Sequence, residues 1–477
     1  MIFLRRSSLR AAVFKKSSGQ ITVWLSLSFL VLLSLYTVCL ESVQKQQRRQ
    51  RAERAVEAGM FSLFSEYEPH LLEKYDLFYL DTSFRSGREK TDELCSHLWN
   101  FTKSNLTDVR GRDLPGLDLQ GVNVEKLVRA TDGGGAVFYR QAVQVMKEKM
   151  GVDLAEDWVL QETLREDMED GAKRFQEDCE RYEGSVEDYE DEEEELEAEA
   201  RQWDGLRKHF LFTSALPDTG TLSQKGVDLS SVPSKRTLST GVGYADGTEN
   251  GLLEKQWFIS YLCEYMTQAQ EMFPAFDVSG YLDYQLEYIL CGKSSDSENL
   301  EQVIGELLLM REGANYAFLL THANYREKAE LLANLLAGLT GNPAVIEGLE
   351  HLILLGWAYG ESLVEVRQLL GGYELSIYKE EENWQVPLSG LLSLIGNPGK
   401  YDVQAKQQKG LDYENYLRML LMLQPAETLA MRSLDMIEGE LQQIVGCEKI
   451  HVDHCVEKLT AQIWLDGISL ERTYGYE

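Results

Sequence analysis

Ile21-Thr22-Val23-Trp24-Leu25-Ser26-Leu27-Ser28-Phe29-Leu30-Val31-Leu32-Leu33-Ser34-Leu35-Tyr36-Thr37-Val38-Cys39-Leu40 is an uncharged run near the start of a 477-residue chain whose formal net charge is −31. At ~1.5 Å per helical residue it matches a ~30 Å hydrocarbon layer, and no other stretch of the sequence does. It predicts one transmembrane helix over 20–40, with Ile21, Trp24, Leu25, Leu30, Leu33 and Leu40 among its anchor residues. Arg5, Arg6, Arg10, Lys15 and Lys16 precede it without an acid. By the positive-inside tendency the N-terminus is then cytoplasmic and the bulk of the chain lies outside the cell membrane. Lys45, Arg48, Arg49, Arg51 and Arg54 pull the other way, partly offset by Glu41 and Glu53.

Three uses of such a run compete. A cleaved secretory signal has an apolar core of ~7–15 residues and small residues at the cut, whereas this run is longer and ends Tyr36-Thr37-Val38-Cys39-Leu40-Glu41. A lipoprotein signal would use Cys39, but Thr37-Val38 replaces the small pair that belongs before it. A retained anchor fits best. Beyond it Ala52, Val56, Gly59/Met60, Leu63 and Tyr67 recur at steps of three and four, so the helix is expected to continue towards Pro69 as the first packing element of the body.

With 44% hydrophobic residues the chain can build real cores. Its acidity excludes nucleic acid as a partner, because a polyanion would be repelled. Cys95, Cys179, Cys263, Cys291, Cys447 and Cys455 have no framework spacing and read as isolated thiols. The organisation read from the sequence begins with a cytoplasmic basic segment (1–19), the membrane helix (20–40), and a juxtamembrane helix with short strands at Tyr75–Leu80 and Val122–Val128 (41–135). The last of these segments closes at the chain-breaking Asp132-Gly133-Gly134-Gly135.

A long helical or coiled-coil arm (136–212) follows. Between Leu164 and Trp203 it spaces Leu164, Met168, Phe175, Cys179, Tyr182, Val186, Tyr189, Leu196 and Trp203 by threes and fours, interrupted by Gly171, Glu193 and Ala200. The acidic run Glu183–Glu199 on this arm reads as a solvated face or partial disorder. Next come a Ser/Thr/Gly/Pro-rich loop or linker (213–251) and a helical domain (252–444). In that domain Pro343–Leu370 reads as one helix, Ser295-Asp296-Ser297-Glu298 offers a capping box, Asp412 an N-cap, and Pro425 a helix start. The terminal segment (445–477) alternates like strands at Lys449–Val452 and Lys458–Leu465. The fold class is α+β, mainly α.

Little chemistry emerges. Leu216-Pro217-Asp218-Thr219-Gly220 matches a sortase sorting pentapeptide, but more than half of the chain follows it. Asp218-Thr219-Gly220 has no second copy with which to share a proton as in an aspartic protease. Cys447, His451, His454 and Cys455 have metal-ligand types, but on a strand His454 would face away from the others. Glu361 and Glu365, in the apolar stretch Leu352–Leu370, are expected at a wet helix edge in a solvated or hydrogen-bonded structural role. Without a Gly-rich phosphate loop, a His-Glu-x-x-His or a nucleophile with a base at credible spacing, no catalysis, cofactor or metal is expected.

Gly19-Gln20-Ile21-Thr22-Val23-Trp24-Leu25-Ser26-Leu27, Leu40-Glu41-Ser42 and Glu53-Arg54-Ala55-Val56 resemble the start of a bacterial membrane-protein family of undefined function. That family is related to the pseudopilin-like proteins of tight-adherence (Tad/Flp) pilus systems. The similarity continues at Leu72–Phe78, Pro233–Arg236, Leu286–Ile289, Trp357–Ser362, Tyr413–Leu421 and Arg432–Ile437, nearly the whole length of the chain. The resemblance implies a single N-terminal membrane helix, a large extracytoplasmic region, a part in pilus or secretion-apparatus assembly, and no enzyme activity. Type IV prepilins are cut after a Gly and carry a Glu five residues on. Here Gly19 is present, position 24 is Trp, and Glu41 is the acid nearest to such a role.

The expectation is therefore a non-enzymatic single-pass surface protein, a minor pseudopilin-like or assembly component. Its partners would be the lipid bilayer and other pilin-like or membrane assembly proteins, with Ser26, Ser28, Ser34 and Thr37 as helix-contact residues. The alternatives are a membrane-tethered extracellular binding or sensing module and an exported hydrolase.

Overall fold

Helix α1 (Ser18–Phe64) runs 47 residues without a break, about 70 Å at the α-helical rise. The computed structural model describes residues 18–107, 117–150, 170–178, 181, 214–217, 222–242, 251–272, 281–337, 343–376, 379–404 and 410–476. The basic segment 1–17, most of the expected arm with its acidic run, Cys179 and the Asp-Thr-Gly at 218–220 lie outside the described residues. Residues 170–178 are helical. The chain divides into two units.

The first unit contains the chain up to Ser65, Asp92–Glu125 and Thr460–Tyr474. In α1, Ala52, Val56, Met60 and Leu63 are fully buried, the three-four stripe read from the sequence. The helix ends at Phe64, so Tyr67 is not on that stripe. The sequence reading missed α3 (Thr91–Asn105), which buries Leu94, Leu98 and Thr102 at steps of four. The two helices touch at Gly59, where an added Cβ would lie 2.5 Å from Thr102 Oγ1 and 3.0 Å from its backbone nitrogen. Gly59→Leu is therefore expected to cost about 1–3 kcal/mol by overpacking, read as a lowered melting temperature. An unchanged melting temperature would refute this close approach. Glu53 pairs with Arg472 at 3.3 Å, and Phe64 meets the ring of Tyr474 at 5.1 Å.

The small sheet runs β1 (Leu80–Asp81), β3 (Cys455–Leu465), β2 (Leu119–Arg129), with β4 (Ile468–Gly475) also paired to β3. Leu80 and Asp81 lie opposite Val456 and Cys455, antiparallel. Asp466-Gly467, at φ +32° and +77°, makes the two-residue connection from β3 to β4, the Asp-Gly turn that suits twisted antiparallel strands. Lys449–Val452, expected as a strand, forms turns and enters the 3₁₀ turn Val452–His454.

The second unit holds Glu66–Thr91, which includes the short helix α2 (Pro69–Tyr75), Lys126–Leu459 and the last residues. Within the first turn of its helix α4 (Asp132–Met150), Gly133, Gly134 and Gly135 sit at φ +65°, +67° and +81°, so the backbone break read from the sequence is real. A side chain at Gly134 would collide with Glu427. The core gathers α4, α5 (Leu252–Tyr265), α6 (Gln285–Cys291), α7 (Asp296–Thr321), α9 (Pro343–Leu370), α10 (Tyr413–Leu423) and α11 (Ala426–Gln442). Helix α8 (Ala323–Ala337) lies between α7 and α9 in the chain. The bounds of α9 coincide with those read from its Pro start and apolar length. Asp412 caps α10 through the Asn415 N–H at 2.9 Å. Ser295 caps α7 by accepting the Glu298 N–H at 3.3 Å, and the Glu298 carboxylate takes the Ser294 hydroxyl at 2.6 Å. Within the loop segment, Val227 and Val232 are buried and Ser234 donates to Asp435 at 2.6 Å.

Glu287 sits fully buried on α6. Its Oε1 accepts from Tyr413 at 2.7 Å and the Ala269 N–H at 2.9 Å, while Oε2 has no partner among the described residues. Burial raises this carboxyl to about 7. The folded chain thus binds that proton more tightly than the unfolded one, and the stabilisation, full below about 4.5, declines as pH rises to about 7. Glu287→Gln is expected to remove about 3 kcal/mol of pH dependence between pH 4 and 8, read as the difference between variant and parent unfolding curves. Parallel pH profiles would refute it.

Candidate functional site

Two features stand out from the packed core. The first is the apolar part of α1. Ile21, Trp24, Leu25, Leu30, Leu33 and Leu40 are all exposed, and nothing among the described residues covers this window, which has a mean hydropathy of 2.2. Gly19 falls in its first turn and Glu41 lies exposed along it. The hydroxyls of Ser26, Ser34 and Thr37 donate within the helix to the carbonyls of Val23 (2.9 Å), Val31 (2.8 Å) and Ser34 (2.8 Å). Their donors are satisfied without a second helix, and their lone pairs can still accept from one.

The second feature is a groove of about 1640 Å³ in the second unit, between α8, α9 and residues 384–401. Ala329 and Ala333 bury one face of α8, while Leu331, Leu335 and Leu336 remain 73%, 76% and 61% exposed. Gly356, Trp357 and Gly360 of α9 line it, and Trp384, Pro387, Leu391 and Tyr401 come from the segment after α9. Trp384 stacks on Phe318 with centroids 5.3 Å apart and meets Trp357 edge-on at 5.6 Å. Both indole N–H groups donate to the Val386 carbonyl, at 2.6 Å from Trp357 and 2.7 Å from Trp384.

A buried ionic network holds that segment. Glu361 accepts the N–H groups of Gln385 at 2.9 Å and Val386 at 2.7 Å, and the Lys379 ammonium at 2.5 Å. Glu365 accepts Arg311 through Nε and Nη2, both at 2.8 Å, Asn315 at 2.8 Å and Lys379 at 2.7 Å. Tyr416 accepts the remaining Arg311 Nη1 at 3.1 Å. The wet-edge expectation for Glu361 and Glu365 is thus overturned, because both are buried and paired. Although burial opposes it, the charges of Arg311 and Lys379 hold Glu365 down to about 2. Two carboxylates facing two cations leave the interior balanced, which is what tolerated burial requires.

The Cys/His cluster does not assemble as one set. Among the described residues, Cys447 lies with Glu68 and His70, and His451 with Glu438 and Asp453. Arg85 grips Glu68 at 3.0 and 2.8 Å, and Arg236 bridges Glu438 at 2.7 Å and Asp453 at 2.9 Å. A guanidinium thus already supplies each group with the positive charge a metal would bring. The Cys455 thiol donates to the His451 carbonyl at 3.7 Å, and the described cysteines are free thiols.

The sequence reading missed Arg311 and Lys379, which meet Glu365 from 54 and 14 positions away. It also missed the groove, although Leu331, Leu332, Leu335 and Leu336 on one short helix were a visible sign.

A mainly helical α+β body carrying one exposed apolar helix, long enough to cross a membrane, defines the class. The chain belongs to the family of unknown function DUF5702, whose match covers residues 189–467, more than half of its length. No curated protein and no solved structure matches it.

Proposed function

We propose that the chain is a non-enzymatic, single-pass membrane protein with a cytoplasmic N-terminus and an external body, acting as a minor pseudopilin-like or assembly component of a tight-adherence type pilus or secretion apparatus. The observation that carries the anchored reading is the contrast within α1, whose Ile21–Leu40 part is bare while Ala52, Val56, Met60 and Leu63 are buried on one face. The pilus assignment is supported by the resemblance around Gly19–Leu27 and Glu53–Val56. In intact cells, an impermeant maleimide is expected to label the half-exposed Cys95. Photo-crosslinkers at Ser26 or Ser34 are expected to capture pilin-like subunits through the bilayer. Labelling of Cys95 only after lysis would reverse the orientation, and crosslinks to lipid alone would remove the assembly role.

The groove favours a second reading, a membrane-tethered binding module, since large apolar concavities with few polar groups are where ligands dock. A folded body that binds a ligand in cells lacking the pilus apparatus would select it.

A further inference from the structure

Resting on the binding-module reading above, we propose that the groove of the second unit holds an anionic phospholipid, with its acyl chains along the leucines of α8 and its phosphate drawn to the lysines of the lining, Lys328 and Lys400.

The lining disfavours other occupants. Leu331, Leu335 and Leu336 stand exposed on one wall, an apolar patch that is unfavourable in water until something covers it. The polar atoms beside it are already paired. Both indole N–H groups of Trp357 and Trp384 donate to the Val386 carbonyl, and the Gln385 amide exchanges hydrogen bonds of 2.7 and 3.0 Å with Gln368. A peptide or a glycan entering here would give up its water without finding donors and acceptors to replace it. Hydrocarbon loses no hydrogen bond. At about 1640 Å³ the groove also exceeds the ~300–1,000 Å³ that encloses a drug-sized ligand, which leaves room for two chains rather than one.

Charge selects the head. Acids outnumber bases 78 to 47 in the chain, yet the described lining contains Lys328 and Lys400 and no carboxylate. Both lysines are exposed, and among the described residues neither is paired with an acid. The Lys328 ammonium lies 5.1 Å from the Tyr325 ring, and Lys400 donates to the Ser393 hydroxyl at 2.9 Å, which leaves two of its three N–H groups for a ligand. An ammonium is a compact point charge suited to phosphate. A zwitterionic head brings the same phosphate with a cation of its own, which the lysines repel. A body tethered through Ile21–Leu40 would also meet lipid at a high effective concentration.

The test uses the full-length protein in neutral-detergent micelles doped with phosphatidylglycerol that carries a diazirine in one acyl chain, photolysed and mapped by peptide mass spectrometry. Adducts are expected on Ala323–Ala337 or on residues 384–401, as well as on Ile21–Leu40. Phosphatidylcholine with the same diazirine is expected to label the groove about tenfold less while labelling the anchor equally. Lys328→Ser with Lys400→Ser is expected to abolish that preference. Gly356→Leu is expected to displace the lipid, because an added Cβ there meets nothing within 4 Å and projects into open space. Circular dichroism identifies any variant that has unfolded, and the comparison of the two lipids on the parent then decides alone. Adducts on the anchor only would overturn the proposal, point to a protein occupant and leave the tethered reading standing. Equal labelling of the groove by both lipids, or a preference that survives loss of both lysines, would overturn it as well. Groove adducts without anchor adducts would support the proposal and remove the tether instead.

Discussion

Glu365→Ala is expected to lower the unfolding free energy by about 4 kcal/mol. The loss is not that of one contact. Without this carboxylate, the Arg311 guanidinium, 1% exposed, and the Lys379 side chain, 3% exposed, are left with Glu361 alone as a facing acid. Removing one member of a buried set costs far more than removing the set, since an uncompensated interior charge is left behind. A double replacement, Arg311→Met with Glu365→Leu, is therefore expected to be less damaging than Glu365→Ala alone. Denaturant unfolding of the full chain in micelles at neutral pH reads both. The pH sense follows from the depressed carboxyl, whose stabilisation is complete above about 4.5 and lost as pH falls through about 2. A single variant costing under 1 kcal/mol, or a double variant costing more than the single, would mean that the network is wet.

Leu30→Arg together with Leu33→Arg is expected to remove the protein from the membrane fraction. Both residues stand exposed near the middle of the apolar run. An arginine at the centre of a spanning helix costs about 3 kcal/mol on insertion scales, so the pair amounts to about 6 kcal/mol against insertion. Their spacing of three puts both on one helical face, where they cannot snorkel to opposite boundaries. Alkaline carbonate extraction reads the outcome, with the parent retained in the pellet and the variant released. Retention of the variant would show that the segment does not span.

Much of the architecture is written locally. Pro343 and the apolar run after it fixed both ends of α9, and Asp412 marked the start of α10, because caps and periodicity act over a few residues. Thr91–Asn105 was missed as a helix although Leu94, Leu98 and Thr102 repeat at four, because strand-like fragments on either side set the period by which the segment was read. Lys458–Leu465, which alternates like a strand, falls within β3, whereas Lys449–Val452 turns instead, and Asp466-Gly467 is the local signal for the hairpin. The site was less legible still. No local pattern tells Glu365 that Arg311 will meet it across two helices, and a carboxylate in an apolar stretch reads as wet until its partners are known. A groove likewise exists only once α8 and residues 384–401 have been brought to the same helix.

With Ile21–Leu40 in a bilayer, as proposed above, α1 climbs about 18 Å from Leu40 to Ala52 without interruption, well past the ~5–7 Å headgroup zone. That stretch is a strut with a fixed phase: any turn of the embedded portion about its own axis swings the buried Ala52–Leu63 stripe through the same angle. Shortening it by seven residues would lower that stripe by about 10 Å and leave its bearing within ~20°, whereas shortening it by two would point it nearly backwards. Height and heading above the bilayer are thus set by a residue count, much as the thread of a screw sets its travel.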